Sequence, residues 1–311
     1  MQIFITGATG VLGKAVVPGL LADGHVVYAL SRSETNTQVL QRLGAKPVPA
    51  DLFDAQALVQ ALVGCRAEAI LHLATSIPPT TQIGRSKAWQ ETHHLRREGT
   101  QTLVEAALAA GTVRTFVYPS YAFVYPDSGD RWIDAETTPI QPAPNLSSTL
   151  DAEAAVARFA GNERRGISLR MGSFYGPEPT SWQLLRYARR GIAAFPPGPL
   201  DAYLPQIWVP DAGTALVAAV TQPVPSGVYD LVDDDPLTHG EVFAAMAQAV
   251  GRQHLWRPPA VLMRMMTGVV YDIITRSLRI SNRRFKAVSK WNPSVPNARM
   301  GWSRLGEESK S

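Results

Sequence analysis

A chain of 311 residues has room for about two domains. Its 45% apolar and 18% charged residues describe a globular fold, which excludes disorder as the main state, and its single cysteine, Cys65, excludes a disulfide framework or a multi-thiolate metal site. A formal charge of only +4 without a nucleic-acid motif sets nucleic acid aside, no apolar run reaches the ~18 residues of a membrane span, and a start without a charged leader points to the cytoplasm.

Ile3–Thr6 reads as a short apolar strand and Gly7 to Gly13 as a glycine-punctuated turn. Val11 to Ala22 then reads as a helix with Leu12, Val16, Leu20 and Leu21 on its apolar side. Strands are expected at Val26–Leu30, Lys46–Pro49 and Ala69–Leu73, separated by helices at Val39–Leu43 and Ala55–Leu62. A long helix from about Lys87 to Ala110, a strand at Thr115–Tyr118 and a Pro-rich loop over Asp134–Asn145 follow. An alanine-rich helix at Leu150–Ala160 and a strand at Ser168–Met171 continue the alternation. This spacing implies right-handed crossovers, and so the α/β class: a doubly wound parallel-sheet Rossmann fold with a small C-terminal substrate domain.

Beyond Gly172 the rhythm breaks. Pro177, Pro179, Pro196, Pro197, Pro199, Pro205 and Pro210 predict loops and short elements. The expected division is a dinucleotide-binding domain of residues 1–171 and about 204–222, with a substrate domain of about 172–203 and 223–311. Late in the chain, Val261, Leu262, Met265, Met266, Val269, Val270, Ile273 and Ile274 form a double apolar stripe, read as core of the small domain, with a roof over an apolar substrate as the alternative. Residues 251–311 hold twelve basic and three acidic side chains, a local charge of +9. That reads as a solvated basic face, with an anionic substrate or acidic partner as the alternative.

The turn Gly7-Ala8-Thr9-Gly10-Val11-Leu12-Gly13 lies between a strand and an amphipathic helix, where orphan N–H groups and the helix dipole favour a phosphate. Gly7 can turn tightly, Gly10 lets a pyrophosphate approach, and Gly13 permits close helix–sheet packing; Thr9, Val11 and Leu12 complete the loop. At the end of the second strand Ser31-Arg32 stands where an NAD site commonly offers an acid. A guanidinium there can pair with a 2′-phosphate, so NADP(H) is preferred over NAD(H). Asp51-Leu52 are placed to meet the adenine, and Leu73-Ala74-Thr75 the phosphate–ribose region. Asp51 fits a helix N-cap equally well.

Nearly the whole chain resembles the extended short-chain dehydrogenase/reductase superfamily, in its NAD-dependent epimerase/dehydratase branch. The matching stretches include Thr6 through Gly13, Leu71-His72-Leu73-Ala74, Gly99-Thr100, Ala122-Phe123-Val124-Tyr125, Leu169 through Pro177 and Val209-Pro210-Asp211. The resemblance implies a nicotinamide cofactor and a Tyr acid/base four residues before a Lys, with a Ser or Thr on the substrate oxygen. Here the Tyr position holds Asn145, the Lys position Thr149, and the catalytic Ser position Tyr121 with Ser120 beside it. The helical Asn of the family falls on Arg96, and no lysine lies between Lys87 and Lys286. The chain thus resembles an atypical member.

By elimination Tyr121 is the candidate proton donor, with an aromatic lid on the nicotinamide as the equal alternative; Ser120, Asn145 and Thr149 could orient a substrate. Asn145 also fits a helix cap. His93-His94 point about 100° apart on a helix, so at most one can face the site, and the pair reads as core-edge or solvated. The expected function is an NADP(H)-dependent oxidoreductase or epimerase-like enzyme acting on a small carbonyl- or hydroxyl-bearing substrate. The alternative is a non-catalytic NADP(H)-binding sensor. No metal is expected, and a homodimer is expected through the helices at 87–110 and 150–160, with Ala152, Ala155, Val156 and Phe159 at the contact.

Overall fold

Short strands and amphipathic helices alternate from the first residues: β1 (Gln2–Thr6), α1 (Val11–Ala22), β2 (Val26–Ser31), α2 (Glu34–Arg42), β3 (Lys46–Pro49), α3 (Ala55–Gly64) and β4 (Ala69–His72). The structure is a computed structural model and describes residues 1–78, 82–194 and 198–309. Helix α2 starts ahead of the expected Val39 because the Ser33 hydroxyl caps it, accepting from the Asn36 N–H at 3.3 Å. Asp54 caps α3 through the Ala57 N–H at 3.0 Å. Asp51 is therefore not that cap; its carboxylate accepts from the Phe53 N–H at 3.0 Å in a local turn.

The long helix runs as a 3₁₀ turn at Ser86–Trp89, α4 (Gln90–His94), a π turn at Leu95–Gly99, and α5 (Thr100–Ala110). Gly111, at φ +69°, ends it. Next come β5 (Thr115–Tyr121), β6 (Trp132–Ile133), α6 (Ser147–Phe159) and β7 (Arg165–Met171).

The second half is more regular than its prolines suggest. It holds β8 (Ser173–Tyr175), α7 (Pro179–Arg189), β9 (Gln206–Trp208), α8 (Val209–Thr221), β10 (Gly227–Leu231) and α9 (His239–Ala249). Then follow α10 (Ala260–Thr267), α11 (Tyr271–Ile274), β11 (Arg279–Ile280), α12 (Arg283–Ser289) and α13 (Ala298–Glu308). Pro179 and Pro210 stand in the first turns of α7 and α8, where the missing N–H is no loss, so they start helices rather than loops. Pro196 and Pro197 lie outside the described residues.

Seven strands pair in the order β3-β2-β1-β4-β5-β7-β10, every neighbour parallel. Alternation along β1 sends Ile3 and Ile5 to one face, with Val16 and Leu20 of α1 and Leu216 and Ala219 of α8. Phe4 goes to the other, with Leu58 and Leu62 of α3, Leu103 of α5 and Phe159 of α6. A third core gathers Phe123, Tyr125, Tyr175, Trp208, Phe243 and Trp302.

Three expectations need correction. Gly227–Leu231, placed by sequence in the smaller domain, is the edge strand of the main sheet, with Tyr229 and Leu231 in its core. The double stripe does not form one buried helix: Gly268, at φ +49°, separates α10 from α11. Met263, Val270, Ile273 and Ile274 are buried while Val261, Leu262 and Met265 are exposed; the side chains of Met266 and Val269 lie outside the description. Finally Ala152, Ala155, Val156 and Phe159 are buried within the chain beneath α5 and the sheet, and so are not available to a second subunit. No helix among the described residues is long and apolar enough to cross a membrane.

Candidate active site

In a doubly wound sheet the strand order reverses beside β1, and the carboxyl ends of β1 and β4 open a crevice there. Gly7 leaves β1 at φ +74°, and a Cβ on it would lie 2.6 Å from the backbone of Leu73 and Ala74. On Gly13 a Cβ would come within 2.2 Å of the Ala8 carbonyl oxygen, so these two glycines are required by packing. Gly10 differs. It is exposed, it is the N-cap of α1, and an added Cβ would meet only the Gly7 oxygen, at 3.3 Å. No side chain caps α1 and no acid stands in its first turn, so its N–H groups are left for an anion. Thr9, Val11 and Leu12 are half-buried around this cradle. The cradle fits the pyrophosphate of a dinucleotide.

Between the ends of β2 and β3 lies an open cleft of about 470 Å³, lined by Ser31, Arg32, Ser33, Glu34, Thr37, Pro49, Ala50 and Asp51. Ser31 is buried and bonded to the Ser33 carbonyl and the Thr37 hydroxyl at 3.1 and 3.0 Å, which fixes the start of α2. Arg32 is exposed, with no hydrogen bond or ion pair to the described residues. Glu34 and Asp51 bring two carboxylates to the same cleft. Leu52 and Leu73 are buried, so only their main chains can face a ligand; Ala74 is half-buried and Thr75 exposed beside Gly7.

At the end of β5 the sequence candidates separate. Ser120 is buried and donates to Glu153 Oε1 at 2.5 Å; Glu153 in turn accepts from Arg170 Nε and Nη2 at 2.9 and 2.7 Å. Tyr121, the next residue, is half-buried and stacks on Phe123 at 4.7 Å, and its hydroxyl has no hydrogen bond to the described residues. Burial pushes its phenol up to about 12, opposed by the positive charge of Arg96. Thr149 is fully buried, and its Oγ1 accepts from Arg96 Nη1 at 2.8 Å. Asn145 lies in a 3₁₀ turn before α6, one residue ahead of the N-cap position at Leu146; its side chain lies outside the description.

Two further side chains join this end: Arg96, set by the resemblance at the family's helical Asn position, and His93, of the pair read as core-edge or solvated. The π turn buries the adjacent residues Leu95 and Arg96 together, which turns the Arg96 guanidinium onto α6. His93, one turn earlier, shares a hydrogen bond of 2.8 Å with the Ser148 hydroxyl; burial and the charges of Arg96 and Arg97 lower its pKa. His94 points away, onto Glu98 at 3.0 Å and the Phe53 ring. The usable signal was the i, i+3 spacing of His93 and Arg96 just before Gly99-Thr100.

This arrangement defines a dinucleotide-binding protein of the doubly wound class. Residues 3–231 match the model of the NAD dependent epimerase/dehydratase family, and the chain belongs to that family, whose members bind a nicotinamide cofactor. It is 31% identical to a 3-diazoavenalumate denitrifying reductase of a Streptomyces species, over 98% of this chain and 100% of that one. It is 32% identical to a decarboxylating sterol-4-alpha-carboxylate 3-dehydrogenase of Dictyostelium discoideum, over 51% of this chain and 47% of that one. In fold it is similar to the human epimerase family protein SDR39U1 (isoform 2), solved with NADPH: TM-score 0.81, 21% identity, 99% of each chain covered.

Proposed function

We propose that the protein is an NADP(H)-dependent reductase of a small organic molecule, working without the Tyr/Lys pair usual in its family. The observation that carries the cofactor half is Arg32, a guanidinium without a partner among the described residues, in the cleft where a 2′-phosphate would lie. Gly7, Gly10 and Gly13 would hold the pyrophosphate, and Ser31, Asp51, Ala74 and Thr75 stand along the rest of its course. When bound, the reduced nicotinamide supplies a hydride. In the reductive direction Tyr121 would be the proton donor, since its phenol, raised by burial, is protonated at neutral pH. Two relatives are named for an avenalumate and a sterol carboxylate, which favours an organic acid over a sugar nucleotide as the substrate class.

Calorimetric titration of NADPH and NADH against wild type and Arg32→Ala tests the cofactor reading. NADPH is expected to bind wild type about 10–100-fold more tightly, and the substitution to remove that margin. Equal affinities in wild type would overturn the preference. A panel of carbonyl and alcohol acids, followed by nicotinamide absorbance, tests turnover; NADPH binding without any turnover would favour a sensor.

A further inference from the structure

Arg96 is only 8% exposed, yet it has no acidic partner among the described residues. The carboxylates on the same helical run and on α6 are engaged elsewhere. Glu91 accepts from Ser76, Glu98 pairs with His94, Asp151 with Arg97, and Glu153 with Arg170. The one hydrogen bond from Arg96 runs from Nη1 to the Thr149 hydroxyl. Its Nε and Nη2 meet no acceptor among the described residues. A buried cation without a counter-charge costs stability, and such costs persist where a ligand supplies the missing charge.

Arg170 shows the completed arrangement in the same molecule. Its Nη1 donates to a hydroxyl, that of Tyr125 at 3.0 Å, while Nε and Nη2 together clasp the Glu153 carboxylate. Arg96 repeats the hydroxyl contact and lacks only the carboxylate. From this we infer that Arg96 and Thr149 form a carboxylate-binding site beside Tyr121, and that the acid group of an organic-acid substrate docks on the Nε–Nη2 edge of Arg96. The planar fork matches two carboxylate oxygens at once, which a lysine cannot do. Thr149 holds the guanidinium in place by occupying Nη1. This rests on the reductase reading for the word substrate, but the site itself does not.

The test uses full-length protein saturated with NADP⁺, with cinnamate as probe and its neutral amide, cinnamamide, as control. By calorimetry, wild type is expected to prefer cinnamate by about tenfold or more. Arg96→Met should lose that preference with NADP⁺ affinity unchanged, and Arg96→Lys should keep only part of it. Because Arg96→Met removes an uncompensated buried charge at similar volume, it should melt no lower than wild type. Crystals soaked in bromide, a probe indifferent to ligand shape, should show anomalous density at the Nε–Nη2 edge of Arg96. Equal binding of acid and amide in wild type, a preference that survives Arg96→Met, or a bromide-free Arg96 would overturn the site. So would a lower melting temperature joined to weakened NADP⁺ binding, which would make Arg96 a framework residue. An Arg96-dependent preference for cinnamate in a protein that turns nothing over would refute the reductase reading alone. Turnover of neutral carbonyl compounds without any acid preference would refute the carboxylate site alone.

Discussion

At Tyr121 burial decides which half of acid–base chemistry is open. With its phenol raised to about 12, the side chain stays protonated across the working range and is suited to protonating an oxygen that gains negative charge. Turnover in the reductive direction should therefore be flat with pH up to about 10, without the alkaline fall that a proton-donating phenol near its ordinary pKa would give. Tyr121→Phe keeps the ring against Phe123 and removes the proton. If the phenol is the general acid, the rate should drop by about 10²–10⁴ while NADPH affinity is unchanged. Stopped-flow kinetics beside calorimetry separates the two, and an unaltered rate would leave Tyr121 as packing.

Each element places its residues for a different reason, and the reasons differ in how visible they are in sequence. Strand β4 delivers His72 into the interior beside β1, where its Nδ1 shares a hydrogen bond of 2.6 Å with the Thr6 hydroxyl. Desolvation pushes the ring down to about 4, from 6.5. Between those values the unfolded chain binds a proton that the native chain does not, so stability falls as pH drops from about 6.5 toward 4. His239, also near 4, adds to the slope. Urea midpoints measured across this window should fall in wild type and fall less steeply in His72→Asn; an identical slope would remove His72 from the account. The glycine cradle was legible because backbone geometry demands glycine at Gly7 and Gly13 whatever surrounds them. The strands were legible as short apolar runs at regular spacing between helices, as expected of strands buried on both faces. The π turn was not, since it depends on fit: a Cβ on Gly99 would come 2.8 Å from the side chain of Leu52, a residue of a distant loop. Nor was the role of Arg96 legible, because an uncompensated charge is a property of the whole neighbourhood.

For the whole molecule, the expected homodimer can use only what the fold leaves outside. The apolar part of that surface includes Ala154 and Ala157 on α6 and Leu108 and Ala109 on α5, so Ala154→Arg should give monomers where wild type gives dimers by light scattering at tens of micromolar. Within one chain, a single buried polar network joins the sheet to the third core. Glu153 on α6 clasps Arg170 on β7; Arg170 reaches the Tyr125 hydroxyl, which donates to Asp230 on β10 at 2.7 Å; Asp230 accepts from the Ala135 N–H at 2.6 Å. Each member answers the donors and acceptors of its neighbours, so removing one strands the rest in a dry interior. Arg170→Met should destabilise by about 3–5 kcal/mol, because Glu153 would be left buried without a cation. Adding Glu153→Leu should restore part of that loss, since the remaining groups are then neutral or still paired. Urea unfolding should be followed in a Trp291→Phe background by fluorescence, to which Trp89, Trp208 and Trp302 contribute from the third core, and by circular dichroism, dominated by the sheet and its helices. With Arg170 intact the two transitions should coincide, and in Arg170→Met the fluorescence transition should come first. A loss below about 1 kcal/mol, or a double variant no more stable than the single, would show that the network does not hold the two cores together.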